Sequence, residues 1–325
     1  MWKKGLMGLI ACCVAFCTAC SSAPAVPENT AAPDAGNSFV LPDDIRVDAE
    51  GVPQLRVYIA DEREIQEMDL ETYLEGVLAG EMKNDWPKEA LRAQAILART
   101  FVIRFITEKQ SKYAGADIST DIEEAQAYDA AGVNDRIKAA VQSTRGQIVC
   151  YNGEPIYAWF HAHAGGQTAT AAEGLSYQKA APYTRSVKSD ESKKAPDDDA
   201  VWAASFSIQQ VIKAASDVGM KVSAPVKQIR LGNKGESGRT LAILIDGQPV
   251  PANEFRIAIG SERMKSTLLT DVKYENETLT ITGKGYGHGV GMSQWGAYAM
   301  AESGQDAQAI IQHYFQSVDI VQMWK

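Results

Sequence analysis

Cysteine is nearly confined to the beginning of this sequence. Four of the five cysteines lie within the first twenty residues, and only Cys150 follows them. A lone cysteine forms no internal disulfide, so the chain is not a disulfide scaffold, and we expect Cys150 to be a small buried side chain. Positive charge is also scarce, since 32 Lys and Arg oppose 41 Asp and Glu for a net charge of −9. That balance argues against nucleic-acid binding, which needs a basic patch or stripe.

Long apolar runs are missing too, with one short exception at the N-terminus. Lys3 and Lys4 precede an uncharged run of about fifteen residues, Gly5 to Ala19. A membrane-spanning helix needs ~20 apolar residues, whereas this length suits a signal peptide. Small residues before Cys20 resemble a bacterial lipobox, in which the cysteine is lipidated and becomes the mature N-terminus. We therefore expect a signal peptide over residues 1–20 and an exported protein anchored by lipid at Cys20; an uncleaved N-terminal anchor is the alternative.

The remainder divides into a tether and a folded part. Residues 21–50 are rich in Ala, Pro, Ser, Asn and Asp, a composition typical of a flexible tether. Residues 51–325 are expected to form the functional domain, in one or two lobes.

Periodicity predicts a strand and then two helices at the start of the domain. Leu55–Ile59 alternates in the manner of a strand. A helix is expected to begin after Asp69, a favourable N-cap, and to carry an apolar stripe. A second helix is expected from Pro87 to about Phe105. Its many alanines permit close backbone approach, so we expect it to be central.

The rest of the chain reads as mixed strands and helices. Asn152-Gly153 predicts a hairpin turn between Gln147–Tyr151 and Pro155–Phe160. The other predicted elements are a helix over Trp202–Val218, strands at Thr240–Ile245, Glu254–Ile259 and Thr278–Thr282, and helices at Trp295–Ser303 and Ala307–Phe315. Without a regular alternation of strand and helix, this order predicts an α+β fold, two-lobed around the Ala-rich helix.

The first candidate for chemistry is Glu81. It lies three residues after Leu78, so the stripe of the first helix would place it on the apolar face. Burial disfavours an ionised carboxylate and raises its pKa, which is what a general acid requires. The alternative is a water-facing Glu at a helix end, because Gly80 can break the period.

The second helix carries two polar candidates. Gln94 lies on the otherwise apolar stripe, and we take it as a substrate-binding candidate. Arg99 lies at the edge of the stripe, where a buried guanidinium would need a carboxylate partner such as Glu81. The alternative is that Arg99 lies at the surface, with the aliphatic part of its side chain packed on the protein and its guanidinium in water.

A glycine-rich segment over residues 283–296 is the third candidate. It matches neither GxxxxGK[ST] nor GxGxxG, so it is not a phosphate loop. It presents His288, Ser293, Gln294 and Trp295, an aromatic plate with hydrogen-bonding groups that suits a sugar. The alternative is a structural glycine-rich turn.

His161 and His163 form the fourth candidate. Two histidines at i and i+2 could ligate zinc, but no Cys, Asp or Glu stands close by in the sequence to complete a tetrahedral set. The pattern favours two structural histidines, and we expect no required cofactor.

Two long segments resemble a known family. Tyr73-Leu74-Glu75-Gly76-Val77, Gly80-Glu81-Met82, Trp86 to Ala95 and Ala98-Arg99-Thr100-Phe101 resemble the opening signature of the stage II sporulation protein D family, which includes the LytB-type amidase enhancers. Gly285 to Ala297 resembles its closing signature. Weaker matches lie between them, at Phe160-His161, Gly165-Gly166, Pro182-Tyr183, Ser186-Val187 and Gly238-Arg239. Together the matches span roughly residues 55 to 320.

The resemblance implies a peptidoglycan lytic transglycosylase acting on glycan strands stripped of stem peptides. The family's catalytic acid maps onto Glu81 and a functionally important arginine onto Arg99. Lys83 replaces a proline that is frequent in the family. A cysteine that binds zinc in some members after the Phe-His pair is absent here, which argues against zinc, although His163 could take over the ligand role.

The expected reaction cleaves the bond between N-acetylmuramic acid and N-acetylglucosamine and leaves a 1,6-anhydro end. His288, Ser293, Gln294 and Trp295 would line the glycan groove. Two alternatives stay open. One is a non-catalytic glycan-binding activator of an N-acetylmuramoyl-L-alanine amidase, and the other is a hydrolase, which would need a second carboxylate facing Glu81.

Overall fold

The structure of the protein, a computed structural model, describes residues 39–325. The predicted signal peptide, the lipidation at Cys20 and the first part of the tether lie outside the described residues. Helices and several small sheets are mixed along the chain, which confirms the α+β class. Within residues 39–325 no helix combines the length and apolar character that crossing a bilayer requires.

The helices have the following bounds. They are α1 (Leu70–Glu81), α2 (Lys88–Glu108), α3 (Asp135–Gln142), α4 (Ala171–Leu175), α5 (Asp197–Ala200), α6 (Ile208–Asp217), α7 (Ala252–Ile259), α8 (Gln294–Glu302) and α9 (Ala307–Tyr314), with a 3₁₀ turn at Ala130–Gly132.

The strands form small sheets. They are β1 (Gln54–Ile59), β2 (Glu64–Asp69), β3 (Ile118–Ser119), β4 (Gln147–Tyr151), β5 (Glu154–Pro155), β6 (Phe160–His161), β7 (Val201–Ser207), β8 (Ile229–Leu231), β9 (Ala242–Ile245), β10 (Gln248–Pro251), β11 (Leu269–Glu275), β12 (Thr278–Lys284), β13 (Met292–Ser293) and β14 (Asp319–Gln322). The sheet orders are β2-β1-β3, β14-β4-β5, β13-β6, β11-β12-β7 and β10-β9-β8.

Helix α2 is central, as its alanines predict. It packs against α1, α3, α8, α9 and β4, and its alanines at 90, 93, 95 and 98 are buried. Helix α1 begins where predicted, because the Asp69 carboxylate accepts the Thr72 N–H at 3.0 Å and caps the helix. Helix α1 carries the candidate residue Glu81, and helix α2 carries Gln94 and Arg99.

Buried apolar side chains form two clusters. One is built from the first part of the described chain, through Tyr183, and from the segment 290–324. The other lies within residues 202–281. Strand β13 pairs in parallel with β6, so the end of the chain returns to the first cluster beside Phe160 and His161. Cys150 is buried in that cluster, as expected.

Three predicted elements differ from the structure. Trp202–Val218 splits into β7 and α6, because Trp202 and Phe206 alternate inward in a strand paired with β12 before Ser207 caps the helix. Glu254–Ile259 is helical rather than extended, with Ile257 54% exposed although it is apolar. After the hairpin turn the second strand stops at Pro155.

The end of the predicted tether makes contacts with the domain. Residues 39–50 are described and contact the domain: Glu50 pairs with Arg145 at 2.7 Å, and the Asp48 carboxylate accepts the Val52 N–H at 2.9 Å. The Glu50–Arg145 ion pair holds the end of the predicted tether against the domain.

Candidate active site

Glu81 is the last residue of α1, and its side chain turns toward the protein as the helical period predicts. One carboxylate oxygen accepts the backbone N–H of Ala127 at 2.7 Å. The side chain is only partly exposed. A ligand can therefore reach this carboxylate while the surrounding protein excludes most of its water.

Two glycines of α1 bring the Ala127 loop to Glu81. Gly76 O accepts the Asp129 N–H at 2.9 Å, which holds the loop along the helix. A Cβ on Gly80 would lie 2.6 Å from the Tyr128 nitrogen and 2.7 Å from the Ala127 carbonyl carbon. The loop can lie this close only because position 80 has no side chain.

Burial dominates the electrostatics of Glu81. Desolvation raises the pKa of this carboxyl to about 8, and the hydrogen bond from Ala127 only partly opposes the rise. The negative end of α1 also disfavours the ionised form. Glu81 is therefore protonated at neutral pH, the state in which a carboxyl group can donate a proton.

Gly80→Ala tests how the loop is held. We expect a loss of stability of about 1–2 kcal/mol, because overpacking costs ~1–3 kcal/mol and better helix propensity returns only part of it. The displaced loop should lose the Ala127–Glu81 bond and raise the pKa of Glu81 further, which a carboxyl NMR titration would detect. Gly76→Ala is the comparison, since the atoms nearest to its Cβ belong to the Tyr128 ring and not to the backbone of the loop. Equal Glu81 titrations in both variants would contradict the explanation.

Helix α8 approaches Glu81 from the other side. Gln294, its first residue, donates its side-chain N–H to the Glu81 carbonyl oxygen at 3.1 Å. Ser293 caps the helix by accepting the Gly296 N–H at 3.3 Å. Segments more than two hundred residues apart in the chain therefore meet at Glu81.

An aromatic wall of Trp86, Trp295 and Tyr298 continues from this point. The ring centroids of Trp86 and Trp295 are 4.4 Å apart, and Tyr298 meets the Trp86 ring edge-on at 5.1 Å. Both tryptophans are buried, whereas Tyr298 is partly exposed. The wall can therefore offer Tyr298 to a sugar ring, with the tryptophans as support behind it.

The structure contradicts the expected contact between Arg99 and Glu81. The Arg99 guanidinium is completely buried and pairs with Glu71, with the shortest N–O distance 2.6 Å. Arg99 also donates to the carbonyl oxygens of Gln147 and Val141. The pairing arises because Glu71 lies in the first turn of α1, beside the middle of α2, while Glu81 is at the other end of α1.

The other predicted substrate-binding residues are buried as well. Gln94 is fully buried and its amide has no hydrogen-bond partner among the described residues, so it does not face a ligand in this conformation. Ser293, Gln294 and Trp295 lie beneath the surface of the site. They shape and support the site instead of lining it with exposed groups.

The glycines of the glycine-rich segment mainly allow other parts of the protein to pack closely against its backbone. A Cβ on Gly289 would lie 2.2 Å from the Arg239 guanidinium, and one on Gly291 would lie 2.0 Å from the Trp159 oxygen. His288 is buried and its Nδ1 accepts the Val290 N–H at 3.0 Å. Burial first, and then the charges of two arginines, lower its pKa to about 3. His288 is thus a neutral structural imidazole.

His161 and His163 are buried against the glycine-rich segment. His161 Nδ1 lies 3.1 Å from the Val290 oxygen, and His163 Nδ1 accepts the Gly165 N–H at 3.0 Å. Burial lowers both pKa values, that of His163 to about 4. Among residues 39–325 no group of three His, Cys, Asp or Glu side chains is placed to hold a metal.

Sequence reasoning missed three features of the site. The Ala127 N–H carries no sequence signal by itself, although the Gly76/Gly80 spacing could have indicated a loop on α1. Tyr298 could have been found, since it follows Trp295 by one helical turn. Glu191 contacts Ser293 through its carboxylate but lies in a charged loop with no periodicity.

Comparison with known proteins defines the class of this protein. The family profile for stage II sporulation proteins (SpoIID) matches residues 58–151, which include α1, α2 and Glu81. The stage II sporulation protein D of Bacillus amyloliquefaciens is 34% identical over 277 residues, covering 81% of this chain and 77% of that protein. The protein of the same name in Bacillus subtilis is 30% identical over 280 residues, covering 81% and 78%.

The chain belongs to the stage II sporulation protein D family. It is also similar to the amidase enhancer of Bacillus subtilis, with 30% identity over 293 residues that cover 74% of this chain and 39% of that protein. The family resemblance expected from the two signatures is thereby confirmed.

Proposed function

We propose that this protein is a peptidoglycan lytic transglycosylase with Glu81 as its acid and base. The observation that carries the proposal is a partly accessible carboxyl group that burial keeps protonated at neutral pH. Its residue is held by Gln294 at the start of α8, the helix that carries the partly exposed ring of Tyr298 one turn further on. The substrate is the glycan strand, expected in its peptide-stripped form.

The reaction needs one proton donor that becomes a base. Protonated Glu81 gives its proton to the oxygen that links N-acetylmuramic acid C1 to N-acetylglucosamine, and the C1–O bond breaks. The C6 hydroxyl oxygen of the same muramyl residue then bonds to C1 and its proton passes to the Glu81 carboxylate. The products are a free hydroxyl on one strand and a 1,6-anhydro end on the other. No water is consumed and Glu81 is protonated again.

The immediate surroundings of the Glu81 carboxyl group favour this route over hydrolysis. Glycoside hydrolases usually place two carboxyl groups ~5–9.5 Å apart across the bond. The pKa of Glu81 reflects burial and the Ala127 N–H, with no contribution from a second carboxylate among the described residues. An internal hydroxyl nucleophile removes the need for a second one, and no cofactor is needed.

Arg99 is assigned an indirect role in this proposal. It fixes α2 to the first turn of α1 through Glu71, and α1 carries Glu81 at its other end. Ser293, Gln294 and Trp295 likewise hold Glu81 and Tyr298 in place. His288 supports the glycine-rich turn from which β13 and α8 continue.

The family also suggests where the protein acts. Relatives named stage II sporulation protein D and amidase enhancer support a cell-wall role, in sporulation or in wall remodelling. We infer that the chain is exported and held at the cell membrane by a lipid on Cys20. From there the tether would let the domain reach the glycan strands, and a cell-wall amidase is the expected partner.

Mass spectrometry of glycan strands tests the reaction. Peptide-free and intact strands would be incubated with the protein lacking residues 1–20. We expect 1,6-anhydro-muramyl ends, formed faster from peptide-free strands. Reducing ends in place of anhydro ends would contradict the proposal and indicate a hydrolase.

The similarity to an amidase enhancer supports a second candidate function, a glycan-binding activator of an amidase. Under that alternative the strands would be retained but not cut, and addition of an N-acetylmuramoyl-L-alanine amidase would release stem peptides faster. Strand cleavage by the protein alone would exclude it as the sole function.

A further inference from the structure

Glu191, in the segment between α4 and α5, is a second carboxyl group tied to the site. One of its oxygens accepts the Ser293 hydroxyl at 2.8 Å, and the other accepts the Ala164 N–H at 3.1 Å. The residue is partly exposed. Both oxygens receive hydrogen bonds from donors, an arrangement that suits an ionised carboxylate, since that form only accepts.

The contact continues to Glu81 through the start of α8. The Ser293 oxygen that faces Glu191 also accepts the Gly296 N–H at 3.3 Å, which caps the helix. The next residue, Gln294, donates to the Glu81 carbonyl oxygen at 3.1 Å. Glu191 and Glu81 are therefore held by consecutive residues, whose Cα atoms are ~3.8 Å apart.

We propose that Glu191 is a positioning residue of the Glu81 site, which in its ionised form fixes Ser293 and the start of α8 that holds the Glu81 carbonyl. The contacts of Glu191 with Ser293 and of Gln294 with Glu81 are features of the structure. Their effect on the rate of strand cleavage rests on the proposed function. Ser293, buried and predicted as a substrate contact, is in this proposal the link between the two carboxyl groups.

The surroundings of Glu191 place its titration near neutrality. Burial raises its pKa to about 7, against the lowering effect of hydrogen bonds from Ser293, Ser189 and Ala164 and of the Arg239 charge. The neighbouring titratable groups are Tyr314, which lies 2.8 Å from the Ser189 hydroxyl, the exposed Asp190, and neutral His163, next in the chain to Ala164.

The two carboxyl groups are then needed in opposite states. Glu81 must be protonated to act as the acid, which holds below about pH 8. Glu191 must be ionised to accept both hydrogen bonds, which holds above about pH 7. The rate of strand cleavage should therefore be bell-shaped in pH, with its maximum between these values.

Glu191→Gln separates this role from general stability. The amide keeps the shape but not the charge: with its oxygen on the Ala164 N–H, its NH2 can only donate to Ser293, so the charge-assisted bond from the Ser293 hydroxyl is lost. We expect kcat at the pH optimum to fall about tenfold to a hundredfold, the effect of a lost charge-assisted hydrogen bond, with KM unchanged. The acid limb of the pH profile should disappear. Asp190→Asn, the same charge change on the exposed neighbour, should leave kcat and both limbs unchanged.

NMR of the Gln294 side-chain amide tests the contact without any turnover. In the wild-type protein its resonance should show a step with a midpoint near pH 7, and in Glu191→Gln this step should be missing, while a step near pH 8 from Glu81 remains. Ser293→Ala and Glu191→Gln should have non-additive effects on kcat, because both remove the same bond.

A Glu191→Gln variant that keeps the acid limb, or a Gln294 resonance whose step near pH 7 is missing in the wild-type protein or persists in Glu191→Gln, would overturn the positioning role. If the wild-type protein cuts no strands but the Gln294 resonance titrates as expected, the proposed function fails and the link between Glu191 and the site stands.

Discussion

Glu81→Gln is expected to abolish strand cleavage while the protein remains folded. Glutamine keeps the size of the side chain but has no proton to give to the glycosidic oxygen. General acid–base catalysis contributes ~10²–10⁴-fold, and in the proposed route one group serves as both acid and base, so the loss should reach the upper end of that range. The measurement is the rate of anhydro-muramyl end formation.

The stability of the same variant gives a second result. The folded-state pKa of Glu81, about 8, lies above the unfolded value of ~4.3, so the folded protein binds this proton more tightly. The resulting stability is present at low pH and decreases as pH rises through this interval, by up to ~1.4 kcal/mol per pH unit. Glutamine does not titrate, so the variant does not lose stability in this way as pH rises. Glu81→Gln should therefore be at least as stable as the wild type at pH 8.

Glu75→Gln is the matched control, with the same change on the same helix at a side chain that makes no hydrogen bond to the Ala127 loop. It should retain cleavage at the wild-type rate. Normal cleavage by Glu81→Gln would refute the assignment of the acid.

Breaking the Arg99–Glu71 pair should have the largest effect on stability. The two side chains are 0% and 8% exposed, and removal of one partner leaves the other charge buried without compensation. Such losses cost ~3–5 kcal/mol. Glu71→Gln should cost at least as much as Arg99→Met, because the Glu71 carboxylate also accepts the Gly146 N–H at 3.0 Å and the Trp324 indole N–H at 2.8 Å. Urea unfolding at neutral pH measures both.

The double variant Glu71→Met with Arg99→Met is the control for charge. It removes both charges together, so it should be less destabilised than the sum of the two single changes. Folded Arg99→Met should still cut glycan strands within about tenfold of the wild-type rate, since Arg99 acts through the fold. A loss as large as that of Glu81→Gln, with the fold intact, would restore a direct catalytic role for Arg99.

The sequence predicted local structure best where one signal was strong. Asp69 as an N-cap, the alanines of α2 and the Asn152-Gly153 turn each determine backbone geometry within a few residues, and each is observed. The prediction failed over Trp202–Val218 and Glu254–Ile259. There the apolar residues fit both the helical and the strand period, and which structure forms depends on tertiary partners such as β12. A short stretch of sequence carries no signal for strand pairing between distant segments.

The site was predictable in its centre but not in its pairings. The period of α1 placed Glu81 inward, yet it could not show that Ala127 would provide the hydrogen bond. Arg99 was matched to the wrong carboxylate, because the sequence shows that a buried arginine needs a partner but not which turn of α1 faces it. The partner, Glu71, looks like an ordinary acidic residue in the first turn of a helix.

The titration of Glu81 in the wild-type protein tests the central claim most directly. Protein labelled with ¹³C at the glutamate carboxyl carbon would be titrated by NMR, and the Glu81 resonance would be identified by its absence in Glu81→Gln. Burial at the end of α1 predicts a pKa near 8, so that the group carries its proton at neutral pH. A midpoint close to the ordinary ~4.3 would leave Glu81 ionised at neutral pH and would contradict its role as the acid.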